Sequence, residues 1–110
     1  MSSLHEGDHL VKIHGNWCGP NWTGGQKVSA QDYQGDWNYP AVSKLDRACR
    51  VHDRDCSHTD GCSSAADRKL AKVALAISTN WKTRLFQPNL AKAAERIYAV
   101  MLISQRTRRR

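Results

Sequence analysis

The sequence predicts a mainly helical, disulfide-stapled single domain spanning residues 1–110, and three observations predict it. Apolar residues recur at spacings of three and four in three separate segments, the pattern of amphipathic helices. Alternating strand patterns are scarce, and "QKVSAQDYQ" is at most a small hairpin. Four cysteines, Cys18, Cys49, Cys56 and Cys62, suit two disulfides in an oxidising compartment, and of the three possible pairings the residues alone select none.

Residues 14–42 are dense in Gly, Asn, Trp and Pro and lack helical periodicity. They read as an ordered loop region, because tryptophans are a poor choice for a flexible linker. A first helix is predicted near 44–58. Ser43 is its N-cap, and Asp46 stands three residues on as an acidic counterpart of the capping box. Gly61 follows as a helix stop and turn. A second helix, near 63–79, carries Ala66, Leu70, Val73 and Ile77 at helical spacing, with Trp81 continuing the stripe into the core. The short connection between the two helices favours an antiparallel pair. A third helix, near 88–105, has Pro88 in its first turn and Leu90, Ala94, Ile97 and Met101 on one stripe, widened by Tyr98, Leu102 and Ile103.

No apolar run approaches the ~20 residues a bilayer-crossing helix needs. The N-terminal "MSSLHEGDHLVKIHG" lacks the pattern of a signal peptide, so a secreted form is expected either to have lost one or to have been cut from a larger protein. Charge is uneven: residues 1–42 carry a net −2 and residues 43–110 a net +9. The C-terminal two-thirds therefore favours an anionic partner, with phosphate in lipid headgroups or nucleic acid as the usual candidate. The closing "RTRRR", residues 106–110, reads as a solvated basic tail or localisation tag.

The chemistry concentrates in "LDRACRVHDRDC", residues 45–56. Leu45, Cys49, His52 and Cys56 share one inward helical face, and an ionisable ring aimed at the interior needs a reason. A lone inward histidine is commonly structural. With the first two helices antiparallel, however, Asp67 at the edge of the second stripe is placed to accept a hydrogen bond from one imidazole nitrogen, leaving the other as a base. Read locally, Asp67 is instead a first-turn acid favoured by the helix dipole. Asp53 points about 100° away from His52. The glycines of "HGNWCGPNWTGG" permit positive φ and can turn successive backbone oxygens toward one point. Such oxygens with a carboxylate describe a calcium site. The interleaved Cys49, His52, Cys56, His58 and Cys62 could alternatively hold zinc, but their spacing matches neither common zinc-ligand pattern.

"WCGPN" followed by "LDRACRVHDRDC" resembles the secreted phospholipase A2 superfamily, whose calcium loop has the form X-C-G-x-G and whose catalytic helix reads D-x-x-C-x-x-H-D. "SSAADRKL" resembles the second-aspartate helix of the small phospholipase domains in parvovirus capsid proteins. The resemblance covers roughly residues 14–80. It implies two antiparallel disulfide-linked catalytic helices with an N-terminal calcium loop at 14–25, and the pairs Cys18–Cys49 and Cys56–Cys62. It implies His52 as general base, Asp67 as its orienting partner, and calcium held by Asp53 and the main-chain carbonyls of Trp17, Gly19 and Asn21. The Gly19 N–H would help stabilise the oxyanion formed when water attacks the sn-2 ester of a glycerophospholipid. Where the family pattern has a second loop glycine this chain has Asn21, a residue that tolerates the left-handed region.

The expected partner is a phospholipid membrane, preferably anionic, with Trp22 and Trp37 as interfacial contacts, and the expected setting is extracellular or virion-associated. Two alternatives accompany this reading. One is a non-catalytic phospholipase-like membrane-binding module, and the other is a zinc-bearing nucleic-acid binder using the basic tail.

Overall fold

A computed structural model describes residues 12–58 and 62–108. Gly61, expected as a turn, lies outside the described residues, as do the side chains of the arginine tail. Four helices are described: α1 (Lys44–Ser57), α2 (Ser64–Thr79), α3 (Trp81–Phe86) and α4 (Pro88–Arg108). The described residues form no strand. The small hairpin expected in the loop region is reduced to isolated bridges, His14 with Cys18 and Thr23 with Gln26.

The caps explain where the helices start. Ser43 Oγ accepts the Asp46 N–H to open α1, and Ser63 Oγ accepts the Ala66 N–H to open α2. Three ties join these helices in reverse order along the chain: the Cys56–Cys62 disulfide, Ser63 Oγ donating to Asp55 Oδ2 at 2.9 Å, and His52 with Asp67. That is the order of an antiparallel hairpin. The second disulfide joins Cys18 to Cys49, so the pairing left open by the residues is settled.

The stripe assigned to the second helix needs two corrections. α2 ends at Thr79, because Asn80 takes an extended conformation and its side chain accepts the N–H groups of Lys82 and Thr83, capping a new helix. Trp81 therefore leaves the stripe and stands 65% exposed instead of entering the core. The buried face of α2 is Asp67, Leu70, Ala71, Ala74 and Ser78, turned from the expected stripe so that Ala66, Val73 and Ile77 lie on its flank, half-buried. Small residues on this face let α2 pack closely on α4, which buries Ala93, Ala94, Ile97 and Met101 against it.

Asp46 fastens the loop region to α1. It is fully buried, and its carboxylate accepts three backbone N–H groups: Trp17 at 2.8 Å, Asn16 at 3.0 Å and Val42 at 3.0 Å. Gly15 (φ 62°) passes so close that a Cβ there would fall on the Asp46 carboxylate. Trp17, also fully buried, stacks on Trp37 at 5.5 Å and meets Tyr33 edge-on at 5.7 Å. This acid does far more than the capping box expected of it. Asp46→Asn replaces an acceptor-only group by one that turns a donor toward N–H groups, and is expected to cost about 2–3 kcal/mol. Urea unfolding checks this, and a loss under about 0.5 kcal/mol would show that the clasp is dispensable.

Candidate active site

Helix α1 delivers Cys49, His52 and Cys56 to the interior at successive turns, as the spacing predicts. His52 Nε2 lies 2.7 Å from Asp67 Oδ1. A carboxylate can only accept, so Nε2–H is the donor, and in the neutral ring Nδ1 carries the lone pair. Asp67 is 1% exposed and sits in the first turn of α2. The two readings of this residue thus coincide: it is a first-turn acid and also the partner of His52. The Cys56 sulfur lies 3.8 and 3.9 Å from the two ring nitrogens and packs against the imidazole.

Asp53 follows on the next position of α1. Its Oδ1 stands 3.7 Å from His52 Nδ1, too far for a hydrogen bond but close enough for strong electrostatic coupling. Its Oδ2 is buried and has no hydrogen-bond partner among the described residues. Burial pushes the Asp53 carboxyl up to about 6, with the Asp46 charge adding to the rise and His52 opposing it. Burial alone would lower the His52 pKa. Asp53 and Asp67 outweigh it, so imidazolium is favoured and the pKa stands above its ordinary value.

A cavity of about 220 Å³ joins these groups to the loop. Trp17, Gly19 and Asn21 line it from the loop, His52 and Asp53 from α1, and Asp67 from α2. The loop backbone takes positive φ at Gly15 (62°), Gly19 (144°), Asn21 (53°), Gly24 (59°) and Gly25 (77°), so Asn21 does enter the left-handed region. Among the described residues nothing donates to the carbonyls of Trp17 or Asn21, while that of Gly19 accepts the Trp22 N–H at 3.2 Å and keeps a second lone pair. Asp53, whose Oδ2 has no partner, and the loop residues Trp17, Gly19 and Asn21 line one cavity; carboxylate and backbone oxygens are hard donors, suited to a hard divalent cation and poorly suited to a soft one.

The far wall is apolar. Leu70 from α2 and Ile97, Val100 and Met101 from α4 complete the cavity. Sequence reasoning gave Ile97, Val100 and Met101 no part in the site, and the only signal for them was the unusual width of that helix's apolar face. Trp22 and Trp37, expected at a lipid interface, are half-buried and each makes internal contacts. The Trp22 indole N–H donates to Gly15 O at 3.0 Å, and Trp37 packs between Trp17 and Tyr33. His52, Cys56 and Cys62 bring their nitrogen and sulfur atoms within 4.8 Å of one another, a grouping able to hold a metal. Both sulfurs are joined in the disulfide, so thiolate ligation is open to them only after reduction.

No protein-family model, no curated protein and no solved structure matches the chain.

Proposed function

We propose that the protein is a calcium-dependent phospholipase A2, hydrolysing the sn-2 ester of glycerophospholipids to a fatty acid and a lysophospholipid. One observation carries this reading: His52, held through Nε2 by buried Asp67, lines the same cavity as Asp53, whose Oδ2 has no partner, and the positive-φ loop. In this reading Asp53 and the carbonyls of Trp17, Gly19 and Asn21 hold the calcium. Bound there, calcium supplies polarisation of the ester carbonyl and offsets the developing oxyanion charge.

The protein's own groups do the rest. His52 Nδ1 removes a proton from a water as its oxygen forms a bond to the ester carbon. Asp67 keeps the ring in the required tautomer and stabilises the imidazolium that results. When the ester C–O bond breaks, the same Nδ1 proton passes to the leaving alkoxide, restoring neutral His52. The Gly19 N–H adds a donor toward the oxyanion, and the apolar wall of Leu70, Ile97 and Met101 suits an acyl chain. Two disulfides are compatible with an extracellular setting. No described helix is long and apolar enough to cross a membrane, consistent with an enzyme that works from the bilayer surface.

The test is fatty-acid release from mixed phosphatidylcholine and phosphatidylglycerol vesicles, with calcium and with chelator. Release that ignores calcium, or its complete absence with both disulfides formed, overturns the reading. A second expectation concerns pH. The base must be neutral, so activity is expected to fall as pH drops through the pKa of His52, which Asp67 raises and which calcium bound at Asp53 would lower. Asp67→Asn removes one carboxylate that favours imidazolium, so the acid limb of the pH–rate profile should move to lower pH while the plateau rate drops. A limb that stays put would exclude Asp67 from control of His52.

A further inference from the structure

We propose that α3 is the anchor that docks the protein on an anionic phospholipid bilayer. The inference rests on the phospholipase reading for the nature of the surface, but its evidence lies outside the catalytic cavity. None of the six residues of α3 is buried. Trp81, Leu85 and Phe86 are 65%, 64% and 71% exposed, and together they form a cluster of large apolar side chains within one short helix. Scattered exposed apolar residues need no explanation, but a contiguous cluster containing two aromatics does.

At about 100° per residue, Trp81, Leu85, Lys82 and Phe86 fall within an arc of about 140°. Thr83 lies on the opposite side and is half-buried, and Arg84 flanks Trp81 from the other edge. The outward arc therefore combines aromatic, aliphatic and cationic groups, with the Lys82 ammonium 5.7 Å from the Trp81 ring. Aromatic side chains settle at the headgroup level of a bilayer while Lys and Arg reach phosphates. Charge selects the occupant. A second copy packed through the same patch would gather two Lys82 and two Arg84 with no acidic residue of α3 to offset them, a like-charge crowding that disfavours a symmetric dimer. A separate groove, bordered by Asn80 and by Thr83 on the other side of α3, carries Lys44, Lys69 and Lys72 and adds long-range attraction for an anionic surface. Trp81 and Phe86 thus add two exposed aromatics to the interfacial contacts expected at Trp22 and Trp37, which are half-buried.

The test is vesicle co-sedimentation of the full chain in chelator, using pure phosphatidylcholine and phosphatidylcholine with about one-third phosphatidylglycerol. A parallel assay measures calcium-dependent hydrolysis of a monomeric short-chain phospholipid below its micelle concentration. Trp81→Ser with Phe86→Ser is expected to weaken binding to the anionic vesicles roughly tenfold or more. Lys82→Glu with Arg84→Glu is expected to abolish the preference for phosphatidylglycerol. Both variants should keep hydrolysis of the monomeric substrate, which also shows that they fold. Binding unchanged within about twofold in the Trp81/Phe86 variant, or no vesicle binding by the native chain, overturns the anchor. So does a concentration-dependent dimer that the same substitutions dissolve, because it would assign the patch to a second copy. Binding that depends on α3, with no hydrolysis of either substrate, supports the anchor and overturns the catalytic reading.

Discussion

His52→Gln is expected to lower calcium-dependent release of the sn-2 fatty acid by roughly 10²–10⁴-fold, the range that a positioned general base contributes. The side chain is 10% exposed, and glutamine fills similar space. Its amide can still donate to Asp67 Oδ1, where Nε2 now stands at 2.7 Å, so the α1–α2 tie persists. What glutamine lacks is a lone pair basic enough to take a proton from water. The loss should therefore appear in kcat with KM nearly unchanged, and the melting temperature should move by only a few degrees. The measurement pairs vesicle hydrolysis with thermal unfolding of the same preparation. A variant that keeps more than about a tenth of native activity would remove His52 from the reaction. A variant that unfolds would indicate a mainly structural ring, which is the commoner role of an inward histidine.

The parts of the fold that could be read from the sequence are those governed by local rules. Ser43 marks a helix start because a hydroxyl at the N-cap satisfies a donor three residues away. The inward alignment of Cys49, His52 and Cys56 follows from 3.6 residues per turn. Contacts between distant segments were harder to read. Asp46 looked like part of a cap, yet two of its three acceptor contacts reach back 29 and 30 residues to the loop, a pairing no local pattern announces. Helical spacing carried the second stripe through to Trp81, but Asn80 competes for the backbone and begins a new helix there, so a residue expected in the core faces solvent. The pairing of His52 with Asp67 was inferable because a short connection forces the two helices to return alongside each other. The apolar wall from α4 was not inferable, since the motif stops before residue 81 and only tertiary packing brings Ile97 and Met101 to the cavity.

Asp53→Asn is expected to abolish the calcium response while making the cation-free protein more stable at neutral pH. The opposite signs follow from one buried carboxylate. Asp53 has a folded pKa raised from 3.8 to about 6 by burial. Its contribution to stability is therefore full below the unfolded value and is lost as pH rises through about 6. Ionising it in the folded, cation-free protein costs roughly 2–3 kcal/mol, taking about 1.4 kcal/mol per unit. Asparagine removes that cost but buries an amide in its place, leaving a net gain of about 1–2 kcal/mol near pH 7.5 and none near pH 4. His52 runs in the same direction, because its raised pKa gives stability below 6.5 that is lost at higher pH. His14 runs the other way: burial lowers its pKa, so its contribution is present above 6.5 and lost on acidification. Both histidines remain in the variant, so the difference between the two stability curves reports Asp53 and its coupling to His52. Millimolar calcium should raise the melting temperature of the native chain at pH 7.5, raise it much less near pH 4.5 where protons compete for the carboxylate, and leave the variant unmoved. Hydrolysis by the variant should fall at least about 100-fold, because the oxyanion loses its principal counter-charge. If the variant retains the calcium-induced rise in melting temperature, the cation binds elsewhere. If it is instead less stable than the native chain at pH 7.5 without calcium, the Asp53 carboxylate has an internal partner and is not waiting for a cation.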